Sequence, residues 1–293
     1  KVSDSAFPTT KFSKTTVNPR IAIKYELTPS LVLRANVGTG FRAPYGFSED
    51  LHLCSGSPRV WKSSNLKGER AISYNLSADY YAKKYQFSIN IFRTNLKDKI
   101  QFSPADDEVK KFGYSYQWEN VDDAYVQGVE LGAKANLFRN FNAGINWTFN
   151  QGKFKHERAD WSDPNDETVK EFPQRLQYAK DSRNISRFPA MTGDIDLDYT
   201  PGTWSFSLTS SLQGRMYIDY NSEDDGATSK IKKTNTFMIF NCRAAKRFGT
   251  CTVYAGAKNI FSYIQDEKHT DDAAFMYAPV YGATWYVGLS VKL

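Results

Sequence analysis

The sequence predicts an all-β chain, an antiparallel transmembrane β-barrel represented here by about eleven strands of a barrel with about 22. Three observations predict it: apolar and polar residues alternate over segments of about ten residues, connections are alternately tight and long, and aromatic residues recur on the apolar side near strand ends.

Composition excludes some alternatives and leaves others open. Mean hydropathy is -0.56 over 293 residues, and no apolar run approaches the roughly 18 residues that a spanning helix needs. A helical membrane protein is excluded. Aromatic residues make up 15% of the chain and charged residues 24%, so a water-soluble globule survives on composition and patterning has to decide. The net charge of +6 is spread without a basic block, so no nucleic-acid footprint is indicated. Cys54, Cys242 and Cys251 fit neither a disulfide framework nor a metal-ligand spacing. Position 1 is Lys, and no charged n-region with an apolar h-region precedes the first patterned segment, so a piece of a longer protein is expected.

Taken in order, the first hairpin sets Ile21, Ile23, Tyr25 and Leu27 against Arg20, Ala22, Lys24 and Glu26, turns at Pro29-Ser30, and returns with Leu31, Leu33, Ala35 and Val37. Four more hairpins follow: 71–82 with 85–96, 124–137 with 140–150, 191–199 with 203–213, and 236–246 with 250–259. Their tight turns fall near Lys84, Arg139, Pro201 and Phe248. The last strand places Ala283, Trp285, Val287, Leu289, Val291 and Leu293 on one side.

A soluble sandwich would alternate too. Loop parity favours the membrane, because short turns all fall on one rim and loops of roughly 15 to 40 residues on the other, as in outer membrane barrels. Tyr25, Tyr80, Tyr85, Trp147, Tyr199 and Trp204 are expected in the headgroup layers. Sliding any strand by one residue would turn groups such as Arg20, Lys24, Arg34 and Glu130 into hydrocarbon, so register is strongly specified. Single-chain bacterial barrels have an even strand count, so an eleven-strand reading implies at least one strand elsewhere.

Gly40-Phe41-Arg42-Ala43-Pro44, Asn65-Leu66-Lys67-Gly68-Glu69-Arg70, Asn120-Val121 with Gln127-Gly128-Val129-Glu130, and Lys258-Asn259-Ile260-Phe261 stand in the order of similar motifs in TonB-dependent receptors of the siderophore, cobalamin and colicin type, a family the chain resembles. Gly40-Phe41-Arg42-Ala43-Pro44 resembles the family's GFRAP segment. Asn65-Leu66-Lys67-Gly68-Glu69-Arg70 is similar to its N-x-x-L-K-P-E run, with Gly68 replacing Pro. Asn120-Val121 followed by Gln127-Gly128-Val129-Glu130 resembles a strand entry, and Lys258-Asn259-Ile260-Phe261 resembles the end of the penultimate strand. The stretch from Asp271 to Tyr281 with the closing strand is similar to receptors in Bacteroidetes. Two positions depart: Leu293 stands for the common terminal Phe, and Ala283 for a frequent Arg.

The resemblance implies residues 1–293 as the C-terminal portion of the receptor barrel, in the outer membrane of a Gram-negative cell, with the plug domain and the N-terminal strands outside this sequence. It implies uptake of a scarce small-molecule chelate or vitamin, a ferric siderophore, haem or cobalamin, driven by a TonB complex acting through the plug. Lipid is the expected partner of the apolar side. Arg20, Lys24, Arg34, Asp79, Glu130 and Asp196 on the polar side would face the plug or a water-filled channel.

The ligand is expected among loop residues of aromatic and cationic type, which suit flat or anionic chelates by stacking and charge. The candidates are Arg42, Trp61, Tyr114, Tyr116, Trp118, Trp161, Tyr178, Tyr217, Tyr220, His269, Phe275 and Tyr277. Packing of loop against loop is the bland account of the same residues. Acidic clusters such as Glu223-Asp224-Asp225 match no EF-hand spacing, so no metal site and no cofactor is expected. No nucleophile motif accompanies the three His, so no catalytic residue and no enzyme is expected. A passive porin and a non-transporting surface barrel are the competing readings.

Overall fold

The computed structural model describes residues 14–44, 60–62, 66–104, 107–113, 116–156, 183–185, 187–217, 233–265 and 277–292. Their strands are β1 (Arg20–Thr28), β2 (Leu31–Arg42), β3 (Val60–Lys62), β4 (Glu69–Tyr81), β5 (Tyr85–Pro104), β6 (Tyr116–Phe138), β7 (Phe141–Phe154), β8 (Met191–Tyr199), β9 (Trp204–Gln213), β10 (Phe237–Phe248), β11 (Cys251–Lys258) and β12 (Thr284–Val291), with a single helical turn, α1 (Asp107–Lys110). All but β3 join one sheet in chain order, each antiparallel to the next. The eleven expected strands are present, paired as a meander.

Tight turns join β1 to β2, β4 to β5, β6 to β7, β8 to β9 and β10 to β11, so all five lie at one end of the sheet. Asn140, Gly202 and Gly249 take positive φ there, at 67°, 60° and 59°, which closes a hairpin in few residues. Segments 43–68, 105–115, 155–190, 214–236 and 259–283 leave from the opposite end.

Registered pairing lines the side chains up in rungs. One runs Tyr25, Leu33, Ala78, Ile89, Leu131, Trp147, Gly193 and Leu212 on a single face. Its apolar character continues through Ile23, Leu76, Ile91 and Phe149 to Val253, Val287 and Leu289. No second layer covers this face among the described residues: Ile23 is 64% exposed, Val287 79% and Leu289 62%. The sandwich alternative requires these residues under a second sheet, and they are not.

The other face is a polar lattice. Arg34 pairs with Asp79 across two strands, and Asn75 donates to Asn36 at 3.0 Å. Ser73 and Thr94 lie 2.8 Å apart, Asn90 donates to Glu130 at 2.9 Å, and Asn146 to Asp194 at 2.8 Å. Thus many polar groups that face this side are satisfied laterally, strand to strand.

Two expectations need correction. Strands β5 and β6 run on to Pro104 and back from Tyr116, well past the boundaries 96 and 124 read from alternation. A bulge between Leu96 and Lys99, with Asp98 at φ 55°, interrupts the two-residue period there, so the alternation that can be read in one register ends while backbone pairing continues. Second, three residues read as loop, Val60–Lys62, pair in parallel with Tyr116–Trp118. Of the residues expected in the headgroup layers, Tyr25, Tyr80, Tyr85, Tyr199 and Trp204 lie next to the tight turns, whereas Trp147 sits mid-strand with its ring over Gly193.

Candidate ligand-binding rim

The long-loop end holds every candidate whose position is described, in two groups. Arg42 ends β2 directly opposite Glu69, with its guanidinium 3.8 Å from the carboxylate. Glu69 also accepts the backbone N–H of Ile100 at 3.1 Å. Trp61, Tyr116 and Trp118 lie on paired strands: Trp61 opposite Gln117, Tyr116 opposite Val60 and Pro104, and Trp118 opposite Lys62 and Phe102. Trp118 is buried at 3% exposure. It therefore serves the packing of the β5–β6 ribbon, and its ring is withdrawn from an approaching solute.

The second group lies across the sheet. Tyr217 bridges Lys233, whose ammonium stands 4.5 Å above its ring. Tyr277 is buried against Met216 and Phe237 in the one apolar cluster at this end among the described residues, and Phe237 stacks on Tyr263 at 4.8 Å. Of the candidates whose side chains are described, Arg42 and Tyr217 keep a partly open polar or aromatic surface. Tyr114, Trp161, Tyr178, Tyr220, His269 and Phe275 lie outside the described residues, and among the described residues the two groups are not brought together.

Residues 1–260 match the family model described as TonB dependent receptor-like, beta-barrel. The chain belongs to the TonB-dependent receptor β-barrel family. It is 26% identical over 266 residues to the vitamin B12 transporter BtuB of Photobacterium profundum, covering 88% of this chain and 36% of that protein. It is 27% identical over 151 residues to the ferric enterobactin receptor of Pseudomonas aeruginosa, covering 45% of this chain and 20% of that one. Among solved structures the copper transporter OprC superposes with a TM-score of 0.64 at 21% identity, over 92% of this chain and 39% of OprC. The chain spans about a third or less of the curated relatives it matches. This is a wall of a Gram-negative outer membrane barrel.

The receptor-type motifs are clamps at the external strand ends. Asn120 donates from its amide to Lys67 O at 3.0 Å and to Asp98 O at 2.7 Å, while its carbonyl accepts Lys67 N–H at 2.7 Å. One side chain so fastens the start of β4 to the bulge of β5. A Cβ on Gly68 would lie 2.4 Å from the Phe41 ring, which explains why this position is bare. Asn259, at φ 50°, donates to Tyr263 O at 2.7 Å and Tyr281 O at 3.1 Å and accepts Tyr263 N–H at 2.9 Å. Gln265, which sequence reasoning missed, accepts Tyr277 N–H at 2.9 Å and Ala278 N–H at 3.1 Å. Its only signal is a lone amide a few residues past Asn259.

Asp122 closes the base of another loop in the receptor barrel. Its carboxylate accepts the backbone N–H of His156 at 2.7 Å and faces the His156 ring at 3.1 Å. Burial opposes its ionisation, yet the bonds from His156 and from the Asp123 N–H outweigh that, and the carboxyl is held below the ordinary range. Elsewhere, two apolar grooves of about 610 and 740 Å³ lie on the outer face, lined by side chains such as Phe87, Leu131, Leu197 and Val287. With almost no polar group in either, they suit hydrocarbon and offer a chelate nothing to hold.

Proposed function

We propose that residues 1–293 form the C-terminal wall of a receptor barrel whose plug domain and first strands lie outside this sequence, and that the whole protein takes up a scarce ligand, a ferric siderophore, haem or cobalamin, through TonB. The observation that carries this reading is the two-faced sheet of a TonB-dependent receptor family member: an uncovered apolar face for lipid, a polar face for an enclosed interior, and all long loops at one end. The polar lattice of Asn90, Glu130, Asn146 and Asp194 suits a wall that holds a hydrated plug by exchangeable hydrogen bonds. The names of the relatives, a vitamin B12 transporter and a ferric enterobactin receptor, direct the choice of test ligands.

Cells expressing the full-length protein, with and without a working TonB, are given radiolabelled cobalamin, ferric enterobactin and haem in turn. TonB-dependent accumulation of one of them, lost when the loop containing Trp161 is deleted, supports the proposal. Energy-independent permeation of small sugars through the full-length protein in liposomes, with no TonB-dependent accumulation of any ligand, overturns it in favour of a diffusion pore.

A further inference from the structure

We infer that the tight-turn rim of the barrel, the end that faces the periplasm, is a docking surface for an acidic segment of a periplasmic protein, seated on Lys83, Lys84, Arg139, Arg247 and Lys292. The inference rests on the membrane orientation of the sheet and is independent of which ligand is taken up.

The rim carries charge of one sign. The turns after β1, β4, β6, β8 and β10 read Pro29-Ser30, Ala82-Lys83-Lys84, Arg139-Asn140, Thr200-Pro201-Gly202-Thr203 and Gly249-Thr250, with no Asp or Glu in any of them. Acidic runs such as Asp106-Asp107-Glu108 and Glu223-Asp224-Asp225 belong to the long connections instead. Arg247 precedes the last turn by one residue, and Lys292 donates its backbone N–H to Thr250 O at 2.9 Å, beside that turn. Lys83, Lys84, Arg139, Arg247 and Lys292 are exposed, and among the described residues none of them forms an ion pair. The carboxylates nearest the rim stand inside the strands, where Glu26 pairs with Lys24, Asp79 pairs with Arg34, and Asp198 lies opposite Asn142 and Ser207. The described wall offers the rim cations no counter-charge.

Position decides the kind of anion. A cation that serves the leaflet keeps its stem on the outer face, as Lys246 does with its ammonium 4.4 Å over the Trp204 ring. Arg247 is on the other face, opposite Thr252, which in turn stands opposite Ser290 in the polar row that continues to Lys292. The wall itself separates these two from lipid, while Lys83, Lys84 and Arg139 sit in the turns, beyond the strands. A small anion is also a poor match. Neighbouring hairpin turns are two strands apart, roughly 10 to 13 Å along the rim of a tilted sheet, so a single phosphate cannot reach Lys84, Arg139 and Arg247 at once. An extended polypeptide advances about 3.4 Å per residue and meets one turn every three or four residues. Its flexibility also lets it pass from the turns to Arg247 and Lys292 on the inward side, a bend that a stiff glycan strand resists. Each exposed ion pair contributes little alone, but several on one linked chain reinforce each other through effective concentration.

The test uses the full-length protein in phosphatidylcholine nanodiscs and a fluorescein-labelled peptide of Gly and Ser with Glu at every third position, beside the same peptide carrying Gln. Binding of the Glu peptide at low salt, absent for the Gln peptide, is expected. R139Q and R247Q should each weaken it by roughly two- to fivefold, the range of one exposed ion pair. The combined variant K83Q/K84Q/R139Q/R247Q should abolish it, and K97Q at the external end should leave it unchanged. No binding of the Glu peptide, or an equal loss with K97Q, in protein that keeps its heat-shifted gel mobility, overturns the inference. Retention on purified peptidoglycan sacculi through the same cations without peptide binding shows a glycan partner and overturns it. Loss of peptide binding when phosphatidylglycerol is added to the discs shows a lipid one and overturns it too. The assay does not read uptake, so a failed uptake experiment leaves its result standing.

Discussion

Tyr286 lies over Gly256 on the neighbouring strand, and two register pairs away Tyr254 lies over Gly288, so β11 and β12 are locked by two reciprocal ring-on-glycine contacts. The rings cover bare backbone on the polar face, and the Arg243 guanidinium stacks 4.6 Å from the Tyr254 centroid. A Cβ at Gly256 would stand 2.4 Å from the Tyr286 hydroxyl and 2.6 Å from the Cys242 carbonyl, a backbone atom that cannot swing away.

Gly256→Val should therefore destabilise the barrel by about 1–3 kcal/mol, the usual cost of overpacking. Urea unfolding of the full-length protein in detergent measures it. Gly202→Ala, at a turn with open space but positive φ, tests strain alone and should cost less.

Asn259 is expected to hold the last external loop by both its amide and its carbonyl. Asn259→Ala should cost about 2–3 kcal/mol through the carbonyls of Tyr263 and Tyr281 left without its donor. Limited proteolysis should then cut faster within 266–276, while Asn259→Asp, which keeps the acceptor for Tyr263 N–H, should give an intermediate rate.

The two faces should respond oppositely to charge. Leu131→Lys, on the apolar face, should destabilise by about 2–4 kcal/mol in a bilayer. Thr148→Lys, directly opposite Glu130 on the polar face, should change stability by less than about 1 kcal/mol. Equal costs from equilibrium folding into lipid vesicles would contradict the assignment of lipid and lumen.

Acid should loosen the external base of β6 and β7. The Asp122 carboxyl is held low, so its contribution is present in full above the ordinary carboxylate value, about 3.9, and is lost as pH falls through the lowered folded value. The protection factor of the His156 amide, bonded to Asp122 at 2.7 Å, should fall over that acidic window. Asp122→Asn should remove most of this dependence.

Arg42 tests the candidate rim. Its guanidinium is half exposed and 3.8 Å from Glu69, so Arg42→Ala should lower ligand affinity with little change in unfolding midpoint, whereas Trp118→Ala, at a buried position, should cost about 3–5 kcal/mol and reduce binding only through folding. Titration of the labelled ligand alongside thermal melts separates the two.

The sequence by itself determined the strands that cross the membrane and which side of each looks outward. Ile21, Ile23 and Tyr25, like Trp285, Val287 and Leu289, differ so strongly from their neighbours that one register survives, because a slip would place Arg20 or Lys24 in hydrocarbon. Tight turns were legible too, since Pro29-Ser30 and Pro201-Gly202 are short-range chemistry. Tertiary structure alone decided the external ends. The bulge after Leu96 breaks the two-residue period, so the extension of β5 and β6 to Pro104 and Tyr116 is hidden from it, and the parallel pairing of Val60–Lys62, the burial of Trp118 and the clamps of Asn120 and Gln265 depend on partners brought in by the fold. Hydrocarbon imposes a period on the chain that can be read locally; contacts between loop bases impose none, and only the folded sheet brings them together.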